Sequence, residues 1–152
     1  VTNTIQVIQA TSDDLHIAAP LFDQYRQFYG QPSDLDKAFH FLKERLERNE
    51  SVIYLALAAQ SGEGLGFTQL YPTFSSVSAR RAWILNDLFV RSDRRKTGIA
   101  TRLLEAAKQH AAASNAKGLS LSTAVDNLTA QSLYESFGFT RDDGFYHYDL
   151  LV

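Results

Sequence analysis

Four basic residues, Arg91, Arg94, Arg95 and Lys96, stand directly ahead of Gly98-Ile99-Ala100, where an apolar-periodic stretch begins. The whole chain carries a formal net charge of −2, so this local positive charge does not follow from composition. A helix start presents unpaired N–H groups and a partial positive charge, which together attract anions. Gly98 and Ala100 have little or no side chain, so an anionic group can approach the amides of Lys96, Thr97, Gly98, Ile99, Ala100 and Thr101. Arg95 and Lys96 add full charges alongside. Donors strung along a whole loop suit a pyrophosphate better than a single carboxylate. The alternative is a solvated loop whose glycine merely starts a helix.

Other chemistries find less support. No G-x-x-x-x-G-K-[ST] run is present, so nucleotide hydrolysis has no phosphate loop. Gly62, Gly64 and Gly66 form a G-x-G-x-G that no helix follows, which reads as turn chemistry rather than a dinucleotide fingerprint. The absence of cysteine excludes disulfides, thiolate metal sites and a cysteine nucleophile, and fits a reducing cytoplasm. The four histidines show no metal-ligand spacing, so no metal is expected. One basic cluster on a slightly acidic chain, with no aromatic platform beside it, argues against nucleic acid. No apolar run approaches the roughly 20 residues of a membrane span and no secretory signal opens the sequence, so a cytoplasmic protein without a membrane partner is expected.

The elements that must position the basic loop are legible from patterning. At 152 residues, with 45% hydrophobic and 21% charged residues, the chain reads as a single globular domain spanning 1–152. A strand over 5–10 precedes a helix capped at Thr11, with Asp13 and Asp14 in its first turn, running to about Phe28. A second helix carries Leu35, Phe39, Leu42 and Leu46 at helical spacing. "SVIYLALAA", "LGFTQLYPTF" and "RAWILNDLFV" read as successive strands, the last one ending at the basic cluster. A helix from Gly98 to about Ala113 turns Ile99, Leu103, Ala106, Ala107 and His110 inward. "GLSLSTAV" alternates like a half-buried strand, a short helix ends at Gly138, and "FYHYDLL" reads as a last strand. The order β-α-α-β-β-β-α-β-α-β implies an α+β (mixed α/β) fold, a mixed sheet with helices on it.

Within that order, Arg95-x-x-Gly98-x-Ala100 after a strand resembles the acyl-CoA loop of the GNAT N-acetyltransferase superfamily. Asn127, Ala130, Leu133-Tyr134-Glu135 and Gly138-Phe139 resemble that superfamily's second signature. The run "WILNDLFVRSDRRKTGIA", with "FTQLYPTF" before it, is most similar to the diamine (spermidine/spermine) acetyltransferases and their thialysine- and histone-acetylating relatives. The resemblance implies a splayed, mostly antiparallel central sheet with helices on both faces. It also implies acetyl-CoA as cosubstrate, with its pantetheine arm between the strands at 83–90 and 119–125. Pantetheine amides would then pair along Leu88, Phe89 and Val90, chiefly through the backbone groups of Leu88 and Val90, as an added strand does. The pyrophosphate would meet Arg95 and the amides of Lys96, Thr97, Gly98, Ile99, Ala100 and Thr101. Asn127 is either a cofactor ligand, a helix cap or both.

Chemistry on this plan needs a neutral amine and a departing thiol. By the resemblance Tyr134 protonates the thiolate, or, read without it, is a buried aromatic on an amphipathic helix. The polyamine-acetylating relatives have an acidic pair at the positions of Asn86 and Asp87, and Asn86 cannot take a proton at neutral pH. Strand alternation sets Asn86 on one face with Leu88 and Val90 and Asp87 on the other, unless a bulge redirects them. Either Asp87 acts through water, or Asn86 hydrogen-bonds the amine while solvent removes the proton; the second is favoured here. Tyr25, Phe28, Tyr29, Phe74 and Trp83 are candidates to line an amine pocket, and Asp13, Asp14, Asp34 and Asp36 to draw a cation. Core packing and solvated helix starts explain both sets more simply. The expectation is transfer of an acetyl group to a small-molecule amine or protein lysine; the alternative is an idle acyl-CoA-binding module. The aromatics of "FYHYDLLV" equally suit contact with a second subunit, and a homodimer is expected by analogy with similar acetyltransferases.

Overall fold

The computed structural model describes residues 4–152, whose contacts form two compact units, one reaching Ser122 and the other Thr123–Val152. The first unit holds β1 (Ile5–Gln9), α1 (Leu15–Phe28), α2 (Leu35–Glu47), β2 (Val52–Ala58), β3 (Gly64–Ser75), β4 (Arg80–Val90), α3 (Ile99–Ala113) and β5 (Leu119–Ser120). The five strands form one sheet in the order β1-β2-β3-β4-β5, antiparallel except for the parallel β4–β5 pair. This is the mixed α/β fold that the element order implies, with the mostly antiparallel sheet that the resemblance implies.

Alternation along the strands feeds two cores. Ile53, Leu55, Phe67 and Phe89 pack with Leu15, Ala18, Leu21, Phe22 and Leu42 of α1 and α2. Ala56, Leu65 and Val90 pack with Ile99 and Leu103 of α3 on the opposite face. Leu42, Ile53, Leu55, Leu65 and Leu103 are fully buried, each contributing roughly 1.5–3 kcal/mol of transfer free energy. Gly66 sits where a Cβ would lie 2.6 Å from the Phe89 carbonyl oxygen, so glycine lets β3 press against β4.

Local signals hold the helices in place. The Thr11 hydroxyl accepts the Asp13 N–H at 3.2 Å, while the Asp14 carboxylate accepts the Thr11 N–H at 2.8 Å. This reciprocal cap closes a single tight turn, Ser12–Asp14, from which α1 continues. Buried Asp23 accepts from Ser33 Oγ at 2.7 Å and the Asp34 N–H at 2.8 Å, which ties the α1–α2 loop back onto α1. Asp34 in turn caps α2 through the Lys37 N–H.

Two expectations need correction. The strand over 118–125 shrinks to Leu119–Ser120, paired only with Trp83 and Ile84. A parallel strand lasts only as long as its partner's ladder, and here the ladder ends at Ile84. The closing strand over 145–151 is not formed among the described residues. A strand exists only through a partner, and the second unit, taken alone, holds one helix, α4 (Leu128–Phe137), and no strand. Within that unit Gly138, at φ +124°, ends α4, and the Phe139 ring lies 5.8 Å from Tyr134 and 6.1 Å from Phe137.

Candidate active site

The site is built around one irregularity in β4. Asp87 pairs with Gln69 of β3, yet Leu85 pairs with the next residue, Leu70, so Asn86 is an extra residue in the strand. Such a bulge inverts the parity of everything beyond it. Trp83 therefore faces α3, donating its indole N–H to Ser114 Oγ at 2.9 Å, whereas Asp87 and Phe89 face α1. Were Asn86 an ordinary strand residue rather than a bulge, Asp87 would share the face of Trp83.

Turned towards α1, Asp87 is 2% exposed and gathers donors. Gln69 Nε2 donates to it at 2.5 Å and Asn86 Nδ2 at 2.8 Å, and the Tyr25 hydroxyl is shared between its carboxylate and the Asn86 carbonyl oxygen, 3.4 Å away. Burial pushes the Asp87 carboxyl above its usual range, outweighing the hydrogen bonds from Asn86, Gln69 and Tyr25 that pull it down. The same burial, with the Asp87 charge adding to it, raises the phenols of Tyr25 and Tyr71, the latter to about 12. The Asn86 side chain is exposed at the bulge; with Nδ2 bound to Asp87, its Oδ1 is left as an acceptor. Sequence reasoning missed Gln69, because its pairing with Asp87 depends on knowing where the bulge falls.

From the bulge a free edge leads to the basic loop. The Arg91 N–H donates to Leu65 at 2.9 Å on the β3 side, so by alternation the amides of Leu88 and Val90 point away from β3. Phe89 has its backbone turned to β3 and its ring in the α1 core. Beyond Ile84 no ladder covers this edge among the described residues. Arg95 Nε takes the Val90 carbonyl at 3.0 Å, with its guanidinium lying 5.4 Å over Phe28 and 5.8 Å over Phe89.

The loop itself is shaped by two left-handed residues, Lys96 at φ +63° and Gly98 at φ +83°. No side chain caps α3, and its first bond runs from the Arg102 N–H to the Gly98 carbonyl at 3.1 Å. The N–H groups of Ile99, Ala100 and Thr101 therefore stand ahead of the helical ladder. Thr97 Oγ1 donates to the Arg94 carbonyl. Of the basic cluster, Arg91 pairs with Glu63 at 2.9 Å and Asp93 at 2.8 Å, and Arg94 lies 3.9 Å from Glu63. Lys96 is exposed and makes no ion pair among the described residues. Glu63 escaped the sequence reading, although its place in the β2–β3 turn, beside the end of β4, was a usable signal.

The remaining candidates separate. Tyr25 and Tyr29 pack edge-to-face at 5.0 Å, with Phe28 against Tyr29 at 5.3 Å, and Phe28 and Tyr29 remain exposed. Trp83 faces α3, and Phe74 pairs with Arg81 near the far end of β4, so neither joins this group. In the second unit Asn127 Oδ1 accepts the Ala130 N–H at 3.1 Å, which is the helix-cap role, and Tyr134 lies half-buried on α4. Among the described residues no group of His, Cys, Asp or Glu could hold a metal ion, and no helix is long and apolar enough to cross a membrane.

A free strand edge that runs into an uncapped helix start presents unmet backbone donors on this mixed α/β fold. The sequence model of the Acetyltransferase (GNAT) family matches residues 18–139, and the chain belongs to that family. It is 53% identical to an uncharacterized N-acetyltransferase, YhfO, of Bacillus subtilis (strain 168), over 97% of this chain and 98% of that one. The crystal structure of a probable acetyltransferase, 48% identical, superposes with a TM-score of 0.92 over 97% of each chain. The aminoglycoside N-acetyltransferase AAC(6')-Iy in complex with CoA shares the fold at a TM-score of 0.81 and 19% identity, over 99% of this chain and 97% of that one. The protein is an acetyltransferase.

Proposed function

We propose that the chain, its two units acting as one domain, transfers the acetyl group of acetyl-CoA to a primary amine by direct attack in a ternary complex. The observation that carries this reading is the unladdered β4 edge from Asn86 to Val90, continuing into the unmet amides of α3. Those groups fit a ligand with amides along its arm and a diphosphate at its end. The Leu88 backbone and the Val90 N–H would hold the arm, and Lys96 with the amides of 96–101 the diphosphate. When bound, acetyl-CoA supplies an activated acyl carbon.

The chain's own residues then have distinct tasks. Asn86 Oδ1 accepts a hydrogen bond from the amine, and Asp87 is the positioning residue that fixes the Asn86 amide. Sealed from solvent and already bound by Asn86, Gln69 and Tyr25, Asp87 is poorly placed to receive a further proton. Solvent takes the proton instead. Tyr134 is assigned the hydrogen bond to the departing thiolate. A thiol pKa near 8.5 against a phenol near 10 makes full transfer uphill by about 2 kcal/mol, so the hydrogen bond rather than complete transfer matters. Asn127 keeps its helix-capping role and has its amide nitrogen to offer the cosubstrate. A neutral Asn86 suits a singly charged amine, a thialysine-like amino acid or a protein lysine better than a polyamine dication, for all the resemblance to the diamine group.

The test is thiol release from acetyl-CoA across mono-, di- and polyamines, aminoglycosides and lysine peptides, beside calorimetry with CoA. With solvent as proton acceptor, kcat/KM for an alkyl amine of pKa about 10 rises close to tenfold per pH unit between about 7 and 9. Silence from every amine, with CoA bound, would replace the amine reading with an idle acyl-CoA-binding module.

A further inference from the structure

Of the basic residues ahead of α3, Arg95 turns back towards the sheet. Its Nε donates to the Val90 carbonyl at 3.0 Å, and its guanidinium lies 5.4 Å over the Phe28 ring and 5.8 Å over Phe89. The Arg91 N–H points to β3, so across a trans peptide the Val90 carbonyl points to the free edge. Arg95 therefore engages the last acceptor that the β4 edge offers. Arg91 and Arg94 are drawn to Glu63, and Lys96 stays exposed without an ion pair among the described residues.

From Arg95 a run of contacts leads along the tip of α1 and back to the bulge. Phe28, the last residue of α1, meets Tyr29 edge-to-face at 5.3 Å, and Tyr29 meets Tyr25 at 5.0 Å. The Tyr25 hydroxyl then reaches the Asn86 carbonyl at 3.4 Å. The run leaves β4 at Val90 and rejoins it at Asn86, so it brackets the free edge. Phe28 and Tyr29 are 60% and 64% exposed, so burial does little to hold this tip.

We propose that Arg95 is a positioning residue for the amine. It pins the tip of α1 to the end of the β4 edge and so keeps Tyr25 on Asn86, leaving the diphosphate to Lys96 and the amides at the start of α3. This rests on the acetyl-transfer reading, in which Asn86 meets the amine. Arginine suits the task where lysine does not. Its Nε–H donates within the guanidinium plane while the flat face of the same group lies on a ring. An ammonium is a point charge on a flexible stem and cannot do both. Arg95 turned outwards to a phosphate would give up its stack on Phe28, whereas Lys96 has no ion pair to give up.

The test sets the KM of the acceptor against CoA affinity in the full chain. Arg95→Lys and Arg95→Gln are each expected to raise KM about threefold or more for the amine with the highest kcat/KM in the panel, with kcat changed less. The Kd for CoA by calorimetry should stay within about twofold of the unmodified value, with the same dependence on salt. Phe28→Leu should raise KM likewise, and adding it to Arg95→Gln should raise KM no further, because both remove one shared contact. A Kd that rises about tenfold in Arg95→Gln would make Arg95 part of the cosubstrate's seat and overturn the proposal, a Kd kept in Arg95→Lys identifying a phosphate contact. So would an unchanged KM, or effects of Arg95→Gln and Phe28→Leu that multiply. Should the unmodified protein neither bind CoA nor release thiol, the acetyl-transfer reading fails by itself, and the pin is judged by urea unfolding of the free protein. There the two substitutions should cost less together than the sum of their separate costs. Additive costs would overturn the pin as well.

Discussion

At the scale of single residues, Asp87 and Asn86 are neighbours joined by a hydrogen bond. The Asp87 carboxyl has its pKa raised by burial, so the native state holds the proton more tightly than the unfolded chain. Its contribution to stability is fully present below about 3.8 and is lost as pH rises through the higher native value. Asp87→Asn is an uncharged near-isostere that escapes this loss. Its amide nitrogen meets a donor from Gln69 or Asn86, which costs stability at every pH, so the expected reading is the trend: its urea midpoint relative to the unmodified protein rises between pH 4 and pH 7. A relative midpoint that stays flat or falls over that range would count against the buried-charge argument. Asn86→Ala removes a hydrogen-bond donor from the buried Asp87 carboxylate and is expected to destabilise the fold at pH 7 by about 1–3 kcal/mol. It should raise KM for the amine two- to tenfold, the equivalent of one hydrogen bond, while the affinity for CoA stays put.

At the scale of elements, the proposed reading makes the β4–loop–α3 segment the seat of the cosubstrate. Gly98→Val forces a β-branched side chain into φ +83°, which costs about 1–2 kcal/mol or more and moves the amides ahead of α3. CoA affinity by calorimetry is expected to fall at least tenfold while the far-ultraviolet circular dichroism is kept. This segment was the most legible in the sequence, because a glycine, a helix period and local charge are all short-range signals. Thr11, Gly138 and the three long strands were legible for the same reason. The bulge at Asn86 was not, since it is a relation between two strands and leaves no mark on either alone. Foresight about Asp87 therefore stopped at the two faces it might occupy. Burial of Gln69 and the pairing of Arg91 with Glu63 were hidden in the same way. The segment 145–151 failed differently: its alternation is real, but alternation states a capacity to pair and not the presence of a partner.

At the scale of the whole molecule, the sheet separates two kinds of work. Its α1–α2 face carries the Tyr25, Gln69 and Asp87 cluster, and its other face packs α3, whose preceding loop is the one proposed to hold the acyl donor. The start of α3 has a further consequence. Helix-start amides that no side chain caps can exchange solvent for a ligand, and any ligand that binds the folded state alone stabilises it. Saturating CoA at about one hundred times its Kd adds about 2.7 kcal/mol to the folded state by mass action, and for a chain of this size that is roughly 5–10 °C in Tm. Heat alone, followed by a dye, would then report occupancy without any knowledge of which amine is acetylated. Candidate acceptors can be ranked by how much further they move the melt once the donor's seat is filled with CoA.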